Sequence, residues 1–391
     1  MKIVFATHAY APAIGGAERY AQGIAEALIT MGHEVHVLTP NRSSAEAFYE
    51  YGHPEAGPRE QRINGVRVHR IALNPARSWS LLRKRAIHPM PPDQARVMWE
   101  RYAETLRHEI GTLAPDATVT LPHAFPNVSA ALDTPRRGIA VYAPLLHEGD
   151  PAWRVEPIAN LVAKSDLILA MTTWECQRLV EGYGAQHDQA FVAPPSVDAP
   201  DADSVVPVVS DTPYVVTIGR RTVSKQLLTT AHAVSQLNSN GIPIRFVIAG
   251  PGVDTNLDRE LRSFGPAIEM RGTISEDEKW RLIKGAVASV SMSAVESYGI
   301  GIAETWAMRR PPIARRVPSI ASFVDDGFNG LLVDTEKDLA MAITELLAHP
   351  DEASRMGAAG EVNVRHAGES TASTVVSAIA SAKERRRRAG G

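Results

Sequence analysis

The feature that most constrains the fold is an alternation of strand-like and helix-like segments that runs through the chain twice. In the first run, KIVFA (Lys2 to Ala6) is β-prone, and apolar residues then recur at helical spacing as far as Met31. VHVLT, VRVHRIA, ATVTLP, GIAVYAPLL and DLILAM are the later strand-like segments of this half. Because strands that alternate with helices favour a parallel sheet covered on both faces, the pattern predicts a doubly wound α/β domain.

The second alternation follows PPSVDAPDADSVVPVVSDTP, which is rich in Pro and Asp, lacks periodicity and is interpreted as a linker. YVVTIGR and IRFVIAG flank a predicted helix, and AIEMRG, VASVSMS, PPIARR and GLLV continue the series. Two further helices carry capping signals, Ser275 with Glu278 and Thr335 with Asp338. A chain of 391 residues exceeds one ordinary core. The sequence therefore predicts two domains, residues 1–195 and residues 196–367.

Composition excludes several classes of protein. With 44% apolar and 22% charged residues the chain is globular, and a formal charge of −3 argues against a surface that coats nucleic acid. The single cysteine, Cys176, excludes an internal disulfide and a cysteine-cluster metal site. No apolar run approaches a membrane span, and MKIVFATHAY enters a strand directly instead of forming a signal peptide, so we expect a cytoplasmic protein.

Two acids with seven residues between them, Glu296 and Glu304, flank a glycine-bearing turn in AVESYGIGIAETWA. Gly299 lets a ligand approach the backbone, and the start of the following helix favours a phosphate. An acid just before the helix and one about two turns into it would lie roughly 10 Å apart. That separation suits a nucleotide sugar, with Glu296 at the sugar hydroxyls and Glu304 at the ribose diol. The alternative is a helix start with one acid favouring the dipole and one on a solvent-exposed face.

Two other loops offer groups for a diphosphate. IGRRTVSKQ places Arg220 and Lys225 five residues apart after a strand, where a guanidinium fork and an ammonium can meet one anion. Gly15 and Gly16 precede a helix, so backbone amides there can approach the same kind of group. The alternatives are solvated cations and a glycine pair that only turns the chain, and the third glycine of a dinucleotide fingerprint is absent.

Two histidines and a basic segment remain. His123 and His147 each follow the end of a predicted strand. Each is interpreted either as a ligand contact or as a hydrogen-bonded structural residue, and neither has a second metal ligand at zinc spacing nearby. Residues 58–110 hold eleven Lys or Arg and five Asp or Glu. Within them Arg83, Lys84 and Arg85 lie beside apolar residues, which suits an anionic bilayer, a phosphorylated acceptor or a plain solvated loop. The terminal KERRRRAGG predicts no role in the fold.

In combination these motifs resemble the family 4 glycosyltransferases, which have the GT-B fold of two Rossmann-like domains facing a central cleft. The resemblance runs from YAPAIGGAERYAQGIAEALITMGHEVHVLT through VAPPSVD and IGRRTVSK to DGFNGLLV. It implies that residues 1–195 bind the acceptor, that residues 196–367 bind the donor, and that a helix at about 368–386 packs back on the first domain. Departures from the family pattern are Ser196, Gln226 and Arg310, where glycine is usual, and Ser322, near the usual acid.

The resemblance also implies a function: a retaining, metal-independent transfer of a sugar from a nucleotide diphosphate sugar to an acceptor hydroxyl. It requires no cofactor beyond the co-substrate, a UDP- or GDP-sugar, and it would serve bacterial glycan, glycolipid or natural-product glycoside synthesis. The acceptor is expected to be anionic or membrane-associated, with the protein at the inner membrane face, and no specific nucleic acid is expected to bind. The alternatives are a nucleotide-sugar epimerase of the same fold and a non-catalytic nucleotide-sugar-binding protein.

Each candidate residue then has a role implied by the resemblance. The catalytic residues are His123, Arg220, Lys225 and Glu296. Besides Arg220, Lys225 and Glu296, the donor-binding residues are Gly15, Gly16, Ser297, Tyr298, Gly299, Ile300 and Glu304. The acceptor-side residues are His147, Arg83, Lys84 and Arg85. No metal ligand is predicted.

Overall fold

A computed structural model describes most of the chain as two compact units. The described residues are 1–13, 15–48, 50–73, 88–123, 125–135, 137–147, 155–252, 254–365 and 367–389. Unit 1 comprises residues 1–171, 175–196 and 368–391, and unit 2 comprises residues 172–174 and 197–367. The segment interpreted as a linker contains the change of unit between Ser196 and Val197, and its one described helical turn is the 3-10 helix Ala202–Ser204.

Unit 1 is built on an eight-stranded sheet in the order β10-β9-β8-β7-β1-β2-β5-β4. All neighbours are parallel except β4 and β5. The strands are β1 (Lys2–Thr7), β2 (Glu34–Pro40), β4 (Glu60–Ile63), β5 (Val66–Ile71), β7 (Ala117–Leu121), β8 (Ile139–Tyr142), β9 (Leu167–Ala170) and β10 (Ala190–Val192). A separate antiparallel pair joins β3 (Glu50–Tyr51) to β6 (His88–Pro89). Central β1 is buried from Ile3 onward, because helices cover both faces of a parallel sheet.

The helices of the first half are α1 (Gly16–Thr30), α2 (Pro92–Leu113), α3 (Pro126–Leu132), α4 (Val155–Ala163) and α5 (Thr173–Tyr183). Helix α1 buries one face, which includes Tyr20, Ile24 and Leu28. The strands and helices expected from the alternation are therefore present, and the strand–helix order brings the loops that follow the strands to one edge of the sheet.

Unit 2 repeats the architecture with a six-stranded parallel sheet in the order β13-β12-β11-β14-β15-β16. The strands are β11 (Tyr214–Ile218), β12 (Arg245–Ala249), β13 (Ile268–Arg271), β14 (Ala288–Ser291), β15 (Pro312–Arg315) and β16 (Leu331–Val333). The helices are α6 (Leu227–Ser239), α7 (Thr255–Ser263), α8 (Glu276–Gly285), α9 (Ile300–Ala307), α10 (Pro318–Ala321), α11 (Glu336–Ala348) and α12 (Pro350–Val364). The predicted fold class, two Rossmann-like doubly wound domains, is thus confirmed.

The two predicted helix caps have different outcomes. Thr335 and Asp338 form a complete capping box at α11. At α8 the Ser275 side chain accepts from the Glu278 amide, but the Glu278 carboxylate bonds the Arg271 guanidinium at 2.8 Å. The capping box predicted there is therefore only half formed, because a neighbouring cation competes for the acid.

The C-terminal helix, α13 (Ala367–Ala389), is fastened to unit 1 by the charged tail for which the sequence predicted no role. Lys383 Nζ lies 2.5 Å from Asp116 Oδ1, and the Arg386 guanidinium bonds both oxygens of Asp166 and the carbonyl of Gly138. These three acceptor residues immediately precede β7, β8 and β9. The C-terminal end of α13 therefore lies at the edge of the sheet where strands begin, whereas Thr371 near its start bonds the carbonyl of Pro194, which follows β10 at the opposite edge.

Candidate active site

The loop that follows β11 contains two adjacent arginines with different environments. Arg221 is buried, with its Nε 2.7 Å from Asp258 Oδ1, its Nη2 3.0 Å from Asp258 Oδ2 and its Nη1 2.9 Å from the Arg271 carbonyl. Arg220 is exposed. The bidentate Asp258 contact fixes the loop backbone, and the pKa of Asp258 is lowered by its hydrogen bonds from Arg221. Arg221 is thus the structural arginine, and Arg220 is the one that a ligand can reach.

The same loop continues into a 3-10 turn, Val223–Lys225, which ends in a left-handed residue. Gln226 has φ 50° and ψ 40°, a conformation that glycine adopts more readily than other residues. The Gln226 side chain accepts from Arg315 at 3.2 Å. Gln226 therefore adopts the left-handed conformation although the family usually has glycine here. The turn connects Lys225 to helix α6, which begins at Leu227.

Lys225 contacts one of the two paired acids. Its ammonium bonds the Glu296 carboxylate, and the two side chains are 35% and 12% exposed. The Glu296 carbonyl also accepts from Ser319 Oγ at 2.6 Å, which holds the backbone of this turn. The structure therefore brings together a cation and an acid that are 71 residues apart in the sequence.

The turn after β14 runs through Ser297 and Tyr298 to Gly299, which caps helix α9. Helix α9 begins at Ile300, four residues after Glu296, so Glu296 lies in the turn and not directly before the helix, and Glu304 lies on the second turn of the helix. Gly299 has φ 75°, so a side chain here would be strained. The Tyr298 ring is buried and stacks on Phe323 at 4.5 Å, so only its backbone can face a ligand.

Glu304 is buried, which excludes the alternative of an acid on a solvent-exposed face. Its Oε1 lies 2.7 Å from the ammonium of Lys279 on α8, and both side chains are almost fully buried. Lys279 was missed by the sequence analysis. The signal was present in α8, because position 279 falls on the same helical face as the buried Leu282 and Ile283.

In unit 1 the glycine pair opens α1. Gly15 is the N-cap residue in extended conformation, and Gly16 is the first residue of the helix. A Cβ at Gly15 would lie 2.3 Å from Glu18 Oε2, so the missing side chain makes room for this carboxylate. Glu18 also approaches His8 Nε2 at 3.4 Å. An acid thus lies next to the amides that the sequence assigned to a diphosphate.

His123 and Tyr142 are hydrogen-bonded at the strand ends of unit 1. His123 Nδ1 lies 2.7 Å from the Tyr142 hydroxyl, and both residues are buried. Burial lowers the pKa of His123 to about 4, so the ring is neutral at pH 7. His123 can therefore act as a hydrogen-bonding group at neutral pH but not as a standing positive charge.

His147 is partly buried and follows a loop that a buried acid holds. Glu175 accepts from the amide of Leu146 at 2.7 Å and from that of Met171 at 2.6 Å. Desolvation raises the pKa of Glu175 to about 7, although the amide donors oppose that shift. Leu145 is left-handed at φ 58°. Glu175 was not predicted as a structural residue, because its sequence position in a helix gives no sign of burial.

The predicted acceptor-side residues Arg83, Lys84 and Arg85 lie outside the described residues. Within the described ranges, no group of three or more His, Cys, Asp or Glu residues is arranged to hold a metal ion. Of the helices in those ranges, none is both long and apolar enough to cross a membrane.

Two family models match the chain, one in each half. The model described as Glycosyltransferase Family 4 matches residues 14–200, and the model described as Glycosyl transferases group 1 matches residues 199–362. The D-inositol 3-phosphate glycosyltransferase of Arthrobacter sp. (strain FB24) is 25% identical over 90% of this chain and 86% of the relative. Four further relatives of that name are matched over 47 to 62% of their own length.

Solved structures share the fold along the whole chain. The sucrose-phosphate synthase of Thermosynechococcus elongatus has a TM-score of 0.75 at 16% sequence identity. The match covers 100% of this chain and 99% of the synthase chain. Anabaena Alr3699/HepE, solved in complex with UDP and glucose, has a TM-score of 0.72 at 14% identity, with 97% and 100% covered. At these identities the likeness is one of fold.

Proposed function

Because the chain is a family 4 glycosyltransferase with the GT-B fold, we propose that Arg220, Lys225, Glu296 and Glu304 of unit 2 bind its nucleotide-sugar donor. The reaction is the retaining transfer of a glycosyl group from a nucleotide diphosphate sugar to an acceptor hydroxyl. The observation that carries the assignment is the Lys225–Glu296 contact at the turn before α9. One cation and one acid meet there, in the turn that leads into a helix start, which suits a sugar linked to a diphosphate.

Each part of the donor has a proposed contact. Glu304 accepts from the ribose diol and Glu296 from hydroxyls of the transferred sugar, because carboxylates are strong acceptors for vicinal hydroxyls. Arg220, Lys225 and the backbone from Ser297 to Ile300 contact the diphosphate. UDP is the first nucleotide to test, since the fold relative HepE is described in complex with UDP, and GDP is the second.

Chemistry requires stabilisation of a diphosphate that gains negative charge as the glycosidic bond breaks. Arg220 and Lys225 provide fixed positive charge there, a role that a metal ion could otherwise fill. We propose that the leaving phosphate accepts the proton of the incoming hydroxyl on the same face of the sugar, so that no carboxylate nucleophile is needed.

His123, kept neutral by burial and held by Tyr142, is proposed to hydrogen-bond the sugar or the phosphate. Gly15 and Gly16 are proposed to contribute backbone amides, although Glu18 beside Gly15 disfavours a second full negative charge at that point.

The acceptor is proposed to be an anionic hydroxyl compound bound by unit 1, near His147 and the basic segment with Arg83, Lys84 and Arg85. Two observations support this: the D-inositol 3-phosphate named for the relatives is phosphorylated, and residues 58–110 carry six more basic than acidic residues. A membrane-associated acceptor would meet the same charge.

The test begins with a thermal-shift panel of UDP- and GDP-sugars. A ligand at 100 times its dissociation constant adds about 2.7 kcal/mol of stability. The stabilising donor is then incubated alone, with D-inositol 3-phosphate and with unphosphorylated inositol, and products are assigned by NMR. We expect a glycoside that keeps the anomeric configuration of the donor. An isomeric nucleotide sugar formed from donor alone would indicate an epimerase, and tight binding without turnover would indicate a binding protein.

A further inference from the structure

Lys279 is a buried lysine at a position of α8 that faces the core. Its neighbours on the same helical face, Leu282 and Ile283, are buried hydrophobic residues, and Lys279 itself is 3% exposed along its side chain. Lysine is rarely fully buried without an ion pair, because removing an ammonium from water is costly. A hydrophobic residue would satisfy the packing of α8 equally well, so the charge requires its own explanation.

Its contacts single out Glu304. The Lys279 ammonium lies 2.7 Å from Glu304 Oε1, 2.5 Å from Glu276 Oε2 and 3.9 Å from the centre of the Trp280 ring. Glu276 is 62% exposed, so solvent already stabilises its charge, whereas Glu304 is 6% exposed and depends on a nearby cation. The Lys279–Glu304 pair joins α8 to α9 inside unit 2.

We infer that Lys279 is a positioning residue of the donor site, which supplies the counter-charge of Glu304 and fixes its carboxylate for the ribose hydroxyls. This inference rests on the proposed role of Glu304. A buried carboxylate that loses its cation loses electrostatic stabilisation and also the contact that holds its two acceptor oxygens in place. Lys279 acts through Glu304, since it does not need to touch the nucleotide.

Other charged groups around α9 have their own pairs. Helix α12 also packs against α9, and its Glu361 bonds Arg309 and Arg365. From β14, Ser289 is bonded to Thr305 of α9, and from β15, which also packs on α9, Arg315 donates to Gln226. Lys279 is thus a cation in direct contact with Glu304, and Glu276 shares its ammonium.

The experiment measures UDP binding by calorimetry for the wild type, Lys279→Met, Lys279→Gln, Lys279→Arg and Glu304→Gln. We expect Lys279→Met and Lys279→Gln to bind UDP about tenfold or more weakly than wild type, because the Glu304 carboxylate loses the cation that holds it. Lys279→Arg restores the charge and should recover most of the wild-type affinity.

Three controls make the result specific. Glu276→Gln removes the exposed partner of Lys279 and should leave UDP affinity within twofold of wild type. In Lys279→Met with Glu304→Gln, the carboxylate through which Lys279 acts is absent, so affinity should be no lower than that of Glu304→Gln alone. Circular dichroism establishes that each variant folds, and Lys279→Gln, which keeps a hydrogen-bond donor, serves if Lys279→Met does not fold.

The outcomes separate this inference from the proposed function. If Glu304→Gln alone leaves UDP affinity unchanged, the ribose assignment fails and the inference fails with it. If Glu304→Gln weakens binding but the neutral Lys279 variants match wild type, only the role of Lys279 is overturned. Losses that add up in the double variant, or no recovery of affinity in Lys279→Arg, also overturn it, since packing rather than the contact with Glu304 would then be responsible.

Discussion

Replacing Lys225 by alanine tests whether the loop after β11 stabilises the leaving diphosphate. The ammonium contacts Glu296, and about a third of the Lys225 side chain is exposed, so loss of this pair should cost at most about 1 kcal/mol of stability. The transition state should suffer more. Removing one donor from a site where charge develops costs about 2.7–4 kcal/mol, and we therefore expect turnover to fall about 10²–10³-fold.

Ground-state binding should also weaken, for a reason visible in the structure. Without Lys225, the 12%-exposed Glu296 carboxylate is left next to the diphosphate, and like charges about 4 Å apart repel by about 1–4 kcal/mol in water-like to protein-surface surroundings. Donor affinity should therefore fall, and Glu296→Gln in the Lys225→Ala background should recover part of it. Arg220→Ala should likewise lower turnover, because it removes a second cation from the leaving diphosphate.

The assay is single-turnover transfer at saturating donor, with the fold checked by circular dichroism. Lys337→Ala, an exposed lysine on α11, is the matched control and should behave like wild type. Turnover within threefold of wild type for both Lys225→Ala and Arg220→Ala would refute the role of these cations.

Two other predictions concern stability. Arg221 lowers the pKa of Asp258, so the stability that this pair contributes is present above the unfolded pKa of about 4 and is lost as the pH falls through the lower folded pKa. In urea titrations, Asp258→Asn should therefore lose less stability than wild type between pH 6 and pH 3. The exposed Asp277→Asn is the control, and an unchanged pH slope in Asp258→Asn would contradict the pairing. Arg386→Ala should lower the urea midpoint modestly, because it removes a partly exposed bidentate pair with Asp166. Arg387→Ala, at an exposed position, should leave the midpoint unchanged. Equal midpoints for both variants would mean that α13 docks without the Arg386 contact.

The order of strands and helices was predictable because it depends on local periodicity. The linker lacks periodicity, and each half alternates strands with helices, so the two-sheet architecture followed from the sequence alone. The loop positions of Arg220, Lys225 and Glu296 were also predictable, since residues after parallel strands collect at one edge of the sheet. The contact between Lys225 and Glu296 agrees with that reasoning.

What the sequence could not show depends on packing between distant elements. Arg220 and Arg221 are identical neighbours in sequence, and only the position of Asp258 on α7 distinguishes the buried one from the exposed one. Similarly, the partner of Glu304 becomes apparent only when α8 lies beside α9. The sequence predicted no role for the basic tail because its acceptors, Asp116 and Asp166, are more than 200 residues away in the chain.

If the two glutamates hold opposite ends of one nucleotide sugar, UDP calorimetry should separate Glu304→Gln from Glu296→Gln. UDP keeps the ribose but lacks the transferred sugar. Glu304→Gln should therefore weaken UDP binding by about 1.5–3 kcal/mol, whereas Glu296→Gln should bind UDP within threefold of wild type or more tightly, because Lys225 is released to the diphosphate. Wild-type affinity in both variants, or a larger loss in Glu296→Gln, would contradict the claim.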